Sequence, residues 1–95
     1  MFIVFLKFSA NQGRAGQFMD AHKEWLKRGF GDGVFLLAGS LEPAPGGGIL
    51  AHNTSRAELQ QRVDADPFVV GNVVTAEIHE LDPGKADPRL EFLVN

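Results

Sequence analysis

Seven residues near the start, Phe2-Ile3-Val4-Phe5-Leu6-Lys7-Phe8, are apolar at both parities of an extended chain. Phe2, Val4, Leu6 and Phe8 fall on one side of such a strand, and Ile3 and Phe5 on the other. A strand of this kind needs cover on both faces. The run is stopped by Lys7, lacks a basic leader, and is far shorter than the roughly 20 residues that cross a bilayer. It reads as a strand and not as a signal peptide.

The turn-forming Ser9-Ala10-Asn11-Gln12-Gly13 follows. From about Arg14 the apolar residues Phe18, Ala21, Trp25 and Leu26 recur at helical spacing, with Asp20, Lys23, Glu24 and Lys27 on other faces. Glycines between Gly29 and Gly33 should end this helix. Val34 to Leu41 and Gly47 to His52 are apolar runs, joined by the turn chemistry of Glu42-Pro43-Ala44-Pro45-Gly46, which predicts an antiparallel hairpin. Ser55 with Glu58 three residues on has capping-box spacing and predicts a second helix carrying Leu59 and Val63 inward. That helix should stop before Asp66-Pro67-Phe68, because proline disfavours α conformation in the residue before it. Val73 to Leu81 reads as a fourth strand, ended by Asp82-Pro83-Gly84.

The order β-α-β-β-α-β predicts an α+β, ferredoxin-like single domain over residues 1–95: a four-stranded antiparallel sheet with both helices on one face. The domain core is expected over residues 2–82. Residues 83–95 form an extension whose Leu90, Phe92, Leu93 and Val94 should pack on the domain or a partner. Two helices shield one face of the sheet, so a second copy packing sheet to sheet is the simplest cover for the other, and a homodimer is expected.

With 9 basic residues against 12 acidic, the net charge of −3 provides no counterion-release drive toward nucleic acid or anionic lipid. No nucleic-acid or membrane partner is expected. The absence of cysteine excludes a disulfide framework, a thiolate metal site and a cysteine nucleophile, and fits the cytoplasm. The three histidines have neither HxH nor HxxxH spacing, so no metal is expected. His52 and His79 read as surface or edge residues. Gly46-Gly47-Gly48 lacks the Lys-Ser/Thr of a phosphate loop and opens a strand, so it reads as a hairpin turn.

His22 lies on or beside the buried stripe of the first helix, four residues after Phe18 and three before Trp25. Two readings stand. It is a general acid or base at a cleft wall, or a core histidine held by a backbone carbonyl. Asp66 before Pro67 is good helix-capping chemistry, and the same carboxylate can accept from a histidine Nδ1–H. Capping and orienting are compatible, since a carboxylate has about four acceptor sites. Ser40 and Phe68 are candidates to line a pocket.

The opening Phe2-Ile3-Val4 strand, His22, Phe35-Leu36-Leu37-Ala38-Gly39-Ser40 with Pro43 after it, Gly47-Gly48-Ile49-Leu50-Ala51 and Asp64-Ala65-Asp66-Pro67-Phe68 together resemble the YciI-like (YCII-related) family. The likeness covers about residues 2 to 82. It implies a dimeric α+β barrel and an approach of His22 to Asp66 as a catalytic dyad. A relative in that family is associated with removal of chloride from a chlorinated hydroxyquinol, which implies cofactor-independent proton transfer on a small aromatic or unsaturated molecule by a lyase, dehydrohalogenase or isomerase. Ser40 departs from the proline that often follows the glycine in that family, which alters the expected pocket rim. The alternative is a non-catalytic ligand-binding or dimerisation module in which His22 and Asp66 are structural.

Overall fold

The computed structural model describes residues 1–43 and 45–94, with Ala44 and Asn95 outside the described residues. Four strands, β1 (Phe2–Phe8), β2 (Phe35–Ser40), β3 (Gly46–Ala51) and β4 (Val74–Glu80), form one antiparallel sheet in the order β2-β3-β1-β4. Helices α1 (Ala15–Gly31), α2 (Arg56–Asp64) and the short α3 (Pro67–Val70) complete the ferredoxin-like α+β arrangement.

β1 sits at the centre, paired with β3 on one side and β4 on the other, as its two apolar faces require. Phe2, Val4 and Leu6 turn into the helical layer and are buried with Ile49, Ala51, Leu59, Val63 and Val73. The opposite face carries Ile3 and Phe5, partnered through the register by Leu50 and Gly48 on β3 and by His79 and Glu77 on β4. Leu37, which pairs with Leu50, shares that face and is 56% exposed.

The helix boundaries follow local chemistry. Ser55 and Glu58 exchange both bonds of the capping box, which starts α2. α2 gives way at Ala65, and Asp66 adopts extended backbone (φ −60°, ψ 124°) ahead of Pro67. Pro67 then takes the first position of α3, a helix beyond the two that the periodicity predicts. α1 ends where Gly33 turns left-handed at φ 73°, a conformation that costs glycine nothing.

Three details depart from the pattern read in the sequence. Ala21 is exposed, and the inward stripe of α1 is completed by Gly29, where the helix approaches β2 so closely that an added Cβ would overlap the Phe35 ring. Gly46-Gly47-Gly48, read both as opening a strand and as a hairpin turn, opens β3 and lies outside the turn, with Gly46 and Gly47 in register with Lys7 and Leu6 of β1. In the C-terminal extension, a 3-10 segment over Pro88–Leu93, Leu90 and Phe92 remain about half exposed. Phe92 meets the His52 ring edge-on at 5.7 Å, and Leu93 and Val94 are partly buried.

Candidate functional site

Asp66 is the one buried charged or polar residue among the described residues, with no exposure to solvent. A buried carboxylate persists only with partners. Its Oδ1 accepts the Phe68 backbone N–H at 3.0 Å, the N-cap bond of α3, and meets His22 Nδ1 at 2.7 Å. Because Oδ1 is an acceptor, Nδ1–H is the donor, which fixes the neutral ring as the Nδ1–H tautomer with its lone pair on Nε2. Nε2 has no hydrogen-bonding partner among the described residues, and neither does the buried Asp66 Oδ2.

The imidazole is clamped from both sides. Phe68 stacks on it at 4.0 Å between centroids and 6° between planes, and Trp25, one helical turn on, lies at 5.6 Å and 27°. Trp25 is anchored in turn by its indole N–H, which donates to the Arg62 carbonyl of α2 at 2.9 Å. The ring therefore has little freedom to leave Asp66, and its side chain is 12% exposed.

That exposure opens into a cavity of about 330 Å³ between α1 and the β2-β3 end of the sheet. His22, Ser40 and Phe68 all line it, while Asp66 lies behind His22. The four candidate residues thus converge at one place. Ser40 arrives there through a β-bulge: the register of β2 against β3 slips between Phe35 and Leu37, so Ala38 and Ser40 share the inward face with Ile49 and Gly47. Without the extra residue, strand alternation would send Ser40 to the opposite face.

The helical spacing sets Lys23 off the apolar stripe of α1, yet it lines the cavity beside His22. Met19 also borders it, with Leu26 of the apolar stripe and Gly47 of the glycine run, none of which the sequence marks as a site residue. The i, i+3, i+4 spacing of Met19, His22, Lys23 and Leu26 was the available signal. His52 and His79 lie away from this cavity. His79 is exposed on the open sheet face, with its ring 5.5 Å from Phe5. Among the described residues no group of three His, Cys, Asp or Glu side chains is arranged to hold a metal ion. Among the described residues no helix is long and apolar enough to cross a membrane.

No protein-family model matches the chain. No curated protein is similar to it in sequence. Among solved structures, it resembles 5-chloro-2-hydroxyhydroquinone dehydrochlorinase (TftG) from Burkholderia phenoliruptrix AC1100, in complex with 2,5-dihydroxybenzoquinone. The TM-score is 0.69 at 14% identity, over 88% of this chain and 96% of that one. At that identity the likeness establishes the shared fold.

Proposed function

We propose that the chain is a YciI-like enzyme that transfers a proton on a small aromatic or unsaturated molecule without a cofactor, His22 acting as base and Asp66 as its orienter. The observation that carries the reading is the 2.7 Å contact between His22 Nδ1 and Asp66 Oδ1 at the wall of a cavity. In the reaction, Nε2 takes a proton from an acidified C–H or O–H of the substrate. The electron pair left behind moves into the conjugated system. In an elimination a leaving group such as halide departs with its bonding pair. In an isomerisation the imidazolium returns the proton to another carbon. The imidazolium formed at His22 faces the buried Asp66 carboxylate, whose second oxygen is unpartnered, so the charge is compensated as it develops. The shared fold with a dehydrochlorinase favours the elimination branch by analogy.

His22→Asn tests this. The asparagine amide can occupy the place of Nδ1 and keep the donor to Asp66, while Nε2 is deleted. Turnover of a chlorinated hydroquinone should fall by about 10²- to 10⁴-fold with the fold retained. A folded variant of unchanged activity would sink the proposal.

A second reading is favoured by one observation: Asp66 has a structural duty as the α3 cap whatever else it does. On that reading the cavity binds a ligand without turning it over, and His22 is packing. It predicts that His22→Asn changes stability and leaves ligand binding untouched.

For the open sheet face we propose a second copy of the chain as the cover. Ile3, Phe5, Leu37 and Leu50 form its apolar part, and apolar surface of that kind is what sheet-to-sheet packing removes from water.

A further inference from the structure

Two glycines that begin β3 have different reasons to be glycine. Gly46 has φ 142°, and an added Cβ would lie 2.5 Å from the Leu6 carbonyl oxygen, so the backbone itself excludes a side chain there. Gly47 has no such requirement. Its backbone is ordinary strand, and a Cβ would meet Gly39 O at 3.4 Å and Leu6 side-chain atoms at 3.9 Å, which are normal contacts. A glycine inside a strand weakens it and packs nothing. Yet Gly47 occupies an inward position, two residues before buried Ile49 and opposite Ser40 and Leu6, where a branched apolar residue is the expected choice. The place where that side chain would stand is the cavity beside His22.

The lining is also selective in charge. The chain has 12 acidic residues against 9 basic, but among the described residues no carboxylate side chain lines the cavity, whereas Lys23 does. The volume, about 330 Å³, is at the small end of ligand sites.

We propose that Gly47 and Lys23 are specificity-determining residues: Gly47 leaves a wall of bare backbone against which a single flat ring lies, and Lys23 pairs with an anionic substituent of that ring. The inference rests on the proton-transfer reading for its reaction and adds the substrate class, a monocyclic aromatic or quinonoid anion. Such a ring is flat enough for the glycine wall, and its conjugation accepts the electron pair released by deprotonation.

The test is a set of NMR titrations with three probes: benzoate, benzamide (flat but neutral) and cyclohexanecarboxylate (anionic but puckered). Benzoate should shift the amides of Gly47 and Gly48 and the His22 ring, and the other two should bind about tenfold more weakly. Lys23→Gln should reduce benzoate to the level of benzamide. Gly47→Val should remove benzoate binding without lowering the melting temperature, and Gly47→Ala should give an intermediate loss that stands even if the valine variant misfolds. Equal binding of all three probes, or wild-type benzoate affinity in folded Gly47→Val or Gly47→Ala, overturns the inference. Binding is read without turnover, so the two proposals separate. A His22→Asn protein that binds benzoate and keeps full activity sinks the catalytic reading alone, and wild-type activity with no response to Gly47→Val sinks this inference alone.

Discussion

His22 and Phe68 lie ring on ring, with centroids 4.0 Å apart and planes 6° from parallel. The contact is the far end of a short covalent path. Asp66 holds the imidazole by Oδ1, the same oxygen caps the Phe68 N–H, and the Phe68 side chain covers the imidazole face. Three consecutive residues, Asp66-Pro67-Phe68, thus orient a histidine contributed by α1. Proline fixes the geometry by setting φ at the first position of α3.

Asp66 variants should separate charge from cap. Asp66→Asn keeps a carbonyl oxygen that can accept from both Phe68 N–H and His22 Nδ1–H, removes the negative charge, and puts an amide NH2 at the buried place where Oδ2 has no partner. It should cost less stability than Asp66→Ala, because the cap is kept, while turnover drops roughly 10²- to 10⁴-fold. Asp66→Ala removes the cap, about 1 kcal/mol, and leaves a buried donor unpaired for roughly another 1–3 kcal/mol. Thermal denaturation should register this at about 4–8 °C per kcal/mol. Equal loss of stability in both variants would contradict this division.

On the open sheet face, the Lys7 ammonium donates to Glu77 at 3.1 Å and, with a lesser contribution from His79, holds the Glu77 carboxyl below the usual glutamate range. A carboxyl depressed by folding adds stability above its unfolded pKa and loses it as the pH falls through the lower folded value. The effect belongs to the acid side, and its size is limited by exposure to solvent. Lys7→Met should raise the Glu77 titration midpoint toward the ordinary value, read from the side-chain carboxyl carbon by NMR. No movement would mean that the ion pair is not populated in solution.

Leu37 tests the cover of the same face. It is 56% exposed at the margin of the apolar patch, so Leu37→Lys places a charge where the second copy is proposed to pack, a costly burial if the contact forms. Sedimentation equilibrium should report a dimer for the wild type and a monomer for the variant, with the helical circular dichroism unchanged. A monomeric wild type would remove the proposal of a covering copy.

Much of this arrangement is legible in the residues alone, and the legible parts share a cause. The two-sided β1, the Ser55–Glu58 box and the Asp66-Pro67 start of α3 are local signals, each fixed within a few residues. The stacking of His22 on Phe68 depends on α1 meeting α3 across 44 residues or more of sequence, and the resemblance, not the spacing, suggested that the two segments meet. Ser40 shows the limit most clearly. Its direction is set by an extra residue between Phe35 and Leu37, and an apolar run such as Phe35-Leu36-Leu37-Ala38 conceals a bulge because either parity is apolar. The three glycines show a related limit, since in succession they carry turn chemistry as well as the start of the Gly47–His52 run until a register makes them strand.

Gly29 links the packing of the helical layer to the site. An alanine there would gain about 1 kcal/mol in helix propensity over glycine. Its Cβ, however, would fall 2.1 Å from Phe35 Cδ2, and overpacking of this kind costs about 1–3 kcal/mol. Phe35 is buried and wedged against Trp25 at 5.1 Å and Phe30 at 6.0 Å, so its ring cannot swing aside freely. The steric term should win, and Gly29→Ala should lower the melting temperature. The displaced ring also presses on Trp25, which backs His22. Turnover should therefore decline more than the folded fraction explains, and the fluorescence of Trp25, the single tryptophan, should change with it. A variant as stable and as active as wild type would show that α1 can shift away from β2 at little cost, and that the clamp on His22 is looser than these contacts require.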